Sequence, residues 1–336
     1  MKAKLALVGL LLLSVQNIFA HQKPSLPEID RIRLAEAFRI GERLGNRVWK
    51  DWDKAPFAVL LVTPDNEFLV RHPRPSQDFT LAGYDSLLKS DIYFRRRTQR
   101  IDYLATFPAV GGIPTIVIGQ AENTSQKSST PWVVTVLHEH FHQLQMSQPN
   151  YYQAVNELNL SRGDQTGMWM LNYAFPYSAP EVKQHFNALS TSLVKALQAK
   201  TRTDLSAKLA AYLETRRQFA GLLKPADYKY FSFQVWQEGF ARYTEYRVAA
   251  LAANNYTPSR EFRALQDYLP FDAVADKIMK NILVELATLK LEDQQRVAFY
   301  PIGAAEALLL DRVNANWRSL YFTDKFFVDK YFITAR

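Results

Sequence analysis

The chain has 336 residues, of which 48% are hydrophobic, with a formal net charge of +8 and no cysteine. That length and apolar content suit a globular protein with a sizeable core, arranged as one large domain or two modest ones. Without cysteine there is no disulfide framework, no lipid-bearing cysteine and no cysteine-bound zinc finger, and no nucleic-acid motif accompanies the basic balance.

Residues 1–20 read as a secretory signal peptide. Lys2 and Lys4 make a basic start, Leu5 to Val15 is an apolar run, and Ile18-Phe19-Ala20 ends in a small residue suited to cleavage. The run is short for a membrane span, and no later segment approaches ~18 continuous apolar residues, so no stable span is expected once the leader is removed. With the leader gone the chain keeps about +6 of its charge. The short leader and missing cysteines point to a bacterial exported protein, periplasmic or secreted.

The remaining residues, 21–336, read as a single α+β domain that is predominantly helical. Pro24 and Pro27 keep residues 21–26 irregular, and residues 29–52 then carry Ile32, Leu34, Ala35, Phe38, Leu44 and Val48 at helical spacing. Strands are expected at 57–63 and 67–72 around a Pro64-Asp65-Asn66 turn, and again at 101–107 and 114–119. Between them Arg95-Arg96-Arg97 with Arg100 forms the densest basic patch, either a solvated face or a surface favouring anions. Residues 122–130 form a polar loop. Residues 21–130 are thus a mixed strand and helix part, and 131–336 a helical part.

The pattern that organises the chain is His138-Glu139-His140-Phe141-His142, inside a helix expected over 131–148. Ser129 or Thr130 would cap that helix, with Pro131 at its first position. His138 and His142, four residues apart, share one face and can reach one metal ion; Glu139 sits at its edge. This is the His-Glu-x-x-His arrangement, in which two histidines hold a single Zn2+ and the glutamate handles protons. His140 points to another face. A buried amphipathic helix whose histidines only satisfy hydrogen bonds would use the same residues.

Residues 151–177 are irregular and aromatic. Helices are then expected at about 181–199, 203–222, 232–253, 259–268, 272–290 and 302–315. A catalytic zinc needs a third protein ligand and a free position. The best candidate is Glu238, near the first turns of the helix at 232–253, with Gly239 leaving room for another helix to approach. Glu245, seven residues on, returns to the same face and could fix a ligand histidine's ring, or form a surface ion pair.

Glu238-Gly239-Phe240-Ala241-Arg242-Tyr243-Thr244-Glu245-Tyr246, after an upstream His-Glu-x-x-His, resembles the gluzincin metallopeptidases, particularly the aminopeptidase N family. The resemblance implies a zincin-like catalytic domain, peptide or protein substrates, and Glu238 as third zinc ligand. Phe299-Tyr300-Pro301-Ile302-Gly303-Ala304 is similar to that family's Tyr-x-x-Gly-Ala segment, which implies that the Tyr300 hydroxyl stabilises the oxyanion; Tyr243 is the alternative for that role. Gly119-Gln120-Ala121-Glu122-Asn123 resembles the family's Gly-Ala-Met-Glu-Asn, implying an edge strand that aligns substrate and a Glu122 that grips its free amino group. The chain departs from the family in placing 95 residues between His142 and Glu238, and in having Gln237 where the family has asparagine. The expected function is zinc-dependent peptide hydrolysis with Glu139 as general base. Hydrolysis of another envelope amide, or non-catalytic binding on the same scaffold, would use the same framework.

Overall fold

The computed structural model describes residues 23–333; the leader at 1–20 lies outside them. Helix α1, Glu28–Val48, matches the expected periodicity and buries Leu34, Phe38, Ile40 and Leu44. A six-stranded mixed sheet follows, built from β1 (Val59–Val62), β2 (Asn66–Val70), β3 (Thr80–Asp85), β4 (Ser90–Arg96), β5 (Leu104–Val110) and β6 (Ile113–Gly119). Its spatial order is β3-β4-β2-β1-β6-β5, with β1 and β6 parallel and every other pair antiparallel.

The alternation of side chains in the central strands explains the layers. Val59, Leu61, Phe68, Val70, Ile116 and Ile118 join the main core with the helices. Leu60, Val62, Leu69 and Val117 face the other way and are covered by Phe79 and Val110. The first hairpin and β6 were legible in the sequence. The β3–β4 hairpin was not, because its residues are nearly all exposed or half-buried, with Leu81 and Tyr84 among the exposed ones, so no apolar alternation marks it. Gly111 and Gly112, both at positive φ, turn β5 into β6 and leave β5 as an edge strand. The basic run is internally paired: Arg95 lies 2.6 Å from both Glu67 and Asp78, Arg97 Nε donates to the Pro64 carbonyl, and Arg100 pairs with Asp102.

Helix α2, Ser129–Ser147, lies against the sheet and is almost wholly buried. Trp132 Nε1 donates to the Gly119 carbonyl at 2.8 Å, and Gln143 Nε2 donates to the carbonyls of Ala58 and Pro114. These bonds fix both ends of the helix on the sheet and so fix the rotation of the histidines. The expected caps are corrected: the N-cap residue is Ser128, Ser129 bonds Asp267, and the Thr130 hydroxyl donates to the Leu269 carbonyl. The start of α2 is thereby tied to the loop before the later helix at 271–288.

The rest is helical. Short α3 (Tyr151–Glu157) and α4 (Trp169–Asn172) interrupt the segment expected to be irregular. Helices α5 (Pro180–Leu197) and α6 (Arg202–Leu222) fall where expected. Helix α7 (Pro225–Gln234) passes through a π-turn at Val235–Gly239 into α8 (Phe240–Asn255). Glu238 therefore sits in the middle of a long helical rod instead of near its first turns. Pro225 at the start of α7 suits a helix N-terminus, and it places that start well before residue 232. After α9 (Arg260–Arg263), α10 (Phe271–Thr288) and α11 (Leu291–Gln294), a 3-10 turn at Gln295–Ala298 leads into α12 (Phe299–Val313). The chain closes with α13 (Trp317–Tyr321) and α14 (Asp329–Ile333).

Helix α12 is held in two ways. Glu306, fully buried, pairs with Arg216 of α6 at 2.6 Å and accepts from Tyr212. One turn earlier Gly303 meets Gly239 backbone to backbone: a Cβ on Gly239 would stand 2.4 Å from the Gly303 Cα, and one on Gly303 2.5 Å from the Val235 carbonyl oxygen. The close approach expected of Gly239 is thus made by α12, and it sets Tyr300 beside Glu238. Gly239→Ala and Gly303→Ala are each expected to force these helices apart and cost about 1–3 kcal/mol, read as a lower urea midpoint with an unchanged slope.

Candidate metal centre

Helices α2 and the π-turn converge so that three donor atoms face one point. His138 Nε2 and His142 Nε2 lie 3.1 Å apart; Glu238 Oε2 lies 3.6 Å from the latter and 3.9 Å from the former. Atoms with those separations share a point about 2.1 Å from each, which is the length of a bond from zinc to imidazole nitrogen or carboxylate oxygen. Among the described residues this is the only cluster of three histidine or acidic groups close enough to hold an ion. Two nitrogens and one carboxylate oxygen form a donor set suited to zinc.

The surroundings orient the ligands. His142 Nδ1 lies 2.6 Å from Gln145 Oε1; donating there leaves Nε2 with its lone pair toward the ion site. Gln145 Nε2 in turn donates to the Gln237 carbonyl at 3.0 Å, one of the groups the wide turn leaves open, while the Tyr321 hydroxyl takes the Trp236 carbonyl at 2.7 Å. Glu245 Oε1 stands 2.8 Å from His138 Nδ1 as an ion-pair contact, but that nitrogen makes no hydrogen bond, so the expected ring-fixing bond is not formed in this structure. His140 is a core residue: it stacks on Phe57 with ring centres 3.6 Å apart and bonds Gln143, and burial depresses its pKa to about 3, so it stays neutral.

Glu139 is almost buried and accepts a hydrogen bond from Thr106 of edge strand β5 at 2.8 Å. Tyr300, in the first turn of α12, lines the same cavity as Glu139 and the three ligands, and its hydroxyl accepts from Arg296. Burial first, and the Glu238 carboxylate second, push the Tyr300 pKa far up, which keeps it a protonated donor. The cavity measures about 810 Å³ and is walled by residues 103–108, by Tyr151 and Tyr152, and by the 165–171 segment.

Two expected residues are elsewhere. Tyr243 is fully buried and its hydroxyl donates to Asp311 while accepting from Arg318, so it packs and cannot reach the cavity. Glu122 follows the interior strand β6, outside the cavity, and pairs with Arg33 at 2.9 Å; the edge strand beside the site is β5. The residues that sequence reasoning passed over are Thr106, Gln145 and Arg296. Gln145 alone carried a signal, since it lies three residues after His142 on the same helix face. Comparison with protein-family models, curated proteins and solved structures finds no significant match, so the site is read from its own geometry.

Electrostatics couple the ligands to pH. Burial opposes charge on His142, but the Glu238 carboxylate outweighs it and holds the His142 pKa up to about 9. Glu238, half-buried, is drawn down to about 2 against the effect of desolvation, chiefly by His142. An incoming ion must therefore displace a proton from His142 at any pH below about 9. Affinity for Zn2+, measured by competition with a chelator, is expected to rise about tenfold per unit from roughly pH 7 to 8.5, flattening only above the His142 value; levelling near the ordinary histidine pKa of about 6.5 would contradict the pairing.

Proposed function

We propose that this chain is an exported zinc-dependent peptidase of the gluzincin type, hydrolysing peptide bonds with one Zn2+ held by His138, His142 and Glu238. The observation that carries the reading is the meeting, at bonding separations, of donor atoms from helices 95 residues apart, with a glutamate and a tyrosine around the same cavity. Zinc bound there supplies a Lewis acid and lowers the pKa of water toward neutrality.

The protein's own groups do the rest. Glu139 accepts the proton of the attacking water and returns it to the departing amine. Thr106 holds the Glu139 carboxylate in place while it does so. Tyr300, kept protonated, donates to the oxygen that gains charge as the carbonyl becomes tetrahedral. Strand β5, unpaired on its outer side, offers backbone groups against which an extended peptide can lie. Export rests on the leader, and no helix among the described residues is long and apolar enough to cross a membrane.

Glu139→Gln is expected to retain zinc, measured by metal analysis, and to lose peptide hydrolysis at least ~100-fold; Tyr300→Phe is expected to lose roughly 100- to 1,000-fold in kcat. Hydrolysis by Glu139→Gln at the parent rate would sink the reading.

A further inference from the structure

Apart from its tyrosines, seven ionisable side chains line the cavity: His138, Glu139, His142, Glu238, Arg242, Glu245 and Arg296. Nearly all have an opposite number. His138 faces Glu245, His142 faces Glu238, Glu139 accepts from Thr106, and Arg242 is held by Glu285 at 2.5 Å. Arg296 is the exception. It is partly buried, and its guanidinium donates to the Tyr300 hydroxyl, yet it forms no ion pair with any carboxylate among the described residues. The carboxylate whose field reaches it is Glu238, which faces His142 and His138 and forms no ion pair with Arg296. A partly buried guanidinium without a carboxylate is costly, and its planar fork of N–H groups matches the two oxygens of a carboxylate, the anionic group that a peptide carries.

Position sharpens the point. Arg296 lies on the 3-10 turn one helical turn before Tyr300, with its guanidinium carbon 5.7 Å from the centre of that ring. Whatever the fork binds is next to the group that faces the scissile carbonyl. The opposite arginine, Arg242, is already occupied, so the cavity offers one free anion subsite and not a general basic lining.

We propose that Arg296 selects the substrate: its open N–H groups bind a carboxylate close to the scissile bond, so the favoured substrates are peptides with an acidic group there. This rests on the peptidase reading for the chemistry but not for the binding. The carboxylate comes either from a free C-terminus or from an acidic side chain, and the test separates the two.

The full-length, zinc-loaded Glu139→Gln protein is titrated calorimetrically with N-acetyl-Ala-Ala bearing a free carboxylate, with its C-terminal amide, and with N-acetyl-Ala-Asp-amide. One or both acids are expected to bind roughly 10- to 100-fold more tightly than the neutral amide. Preference for the first identifies a C-terminal carboxylate and for the last an acidic side chain. Adding Arg296→Gln is expected to abolish the preference, and Arg296→Lys, which keeps the charge without the fork, to leave a reduced one. Equal binding of acids and amide overturns the proposal. So does a preference that survives Arg296→Gln, because the carboxylate would then be held by the metal. If Arg296→Gln does not fold, an undiminished preference in Arg296→Lys overturns it. With Glu139 restored, failure to hydrolyse any of these peptides would count against the peptidase reading and leave the binding result standing.

Discussion

A single side-chain amide, that of Gln145, holds the centre together. Its oxygen accepts a hydrogen bond from His142 Nδ1, and its nitrogen reaches the carbonyls of the turn that carries Glu238. One residue therefore orients the His142 ring and holds the turn that carries Glu238 on a different helix. Both of its bonds are buried, where leaving either group unpaired would be expensive. Helix α2 is fixed on the sheet by Trp132 and Gln143, and the long rod by Gly239 against Gly303, so Gln145 joins two elements that are each already rigid.

What the sequence made legible follows from which signals are local. The histidine pair, the glutamate between them and the apolar face of α2 are encoded in eighteen neighbouring residues, and the structure places them as that spacing requires. Glu238 was found from its own neighbourhood, with Gly239 marking a close approach. Glu245 followed from helical return, since seven residues bring it back to the same face. Tyr300 rested on similarity of a short segment, and it reaches the cavity because Gly303, three residues on, lets α12 come close.

The failures were those of position in space. Tyr243 and Glu238 share a helix, but five residues at 3.6 per turn point Tyr243 to another side, into the Asp311 and Arg318 pairing. Glu122 sits beyond the end of an interior strand, because β5 folds back outside β6, and no local feature reveals that order. Arg296 carries no local mark of function in the sequence; only the arrival of α12 at the centre makes it part of the cavity. The run Arg95 to Arg97 shows the opposite case, a conspicuous charge cluster whose members are mostly paired with neighbouring acids and carbonyls.

The wide turn at 235–239 has a consequence for how this rod can vary. It stores one surplus residue, which advances the helical phase by about 100° relative to an uninterrupted α-helix. The aromatic faces before it (Tyr230, Phe231, Phe233) and after it (Phe240, Tyr243) both stay in the core, and that phase slip is what keeps them so. A deletion of one residue here would restore regular winding at the expense of alignment: either the acid leaves the imidazoles or half of the rod turns its rings to solvent. Length in this segment is therefore constrained as tightly as identity, and an insertion or loss would be felt along the whole rod, far from the histidine pair.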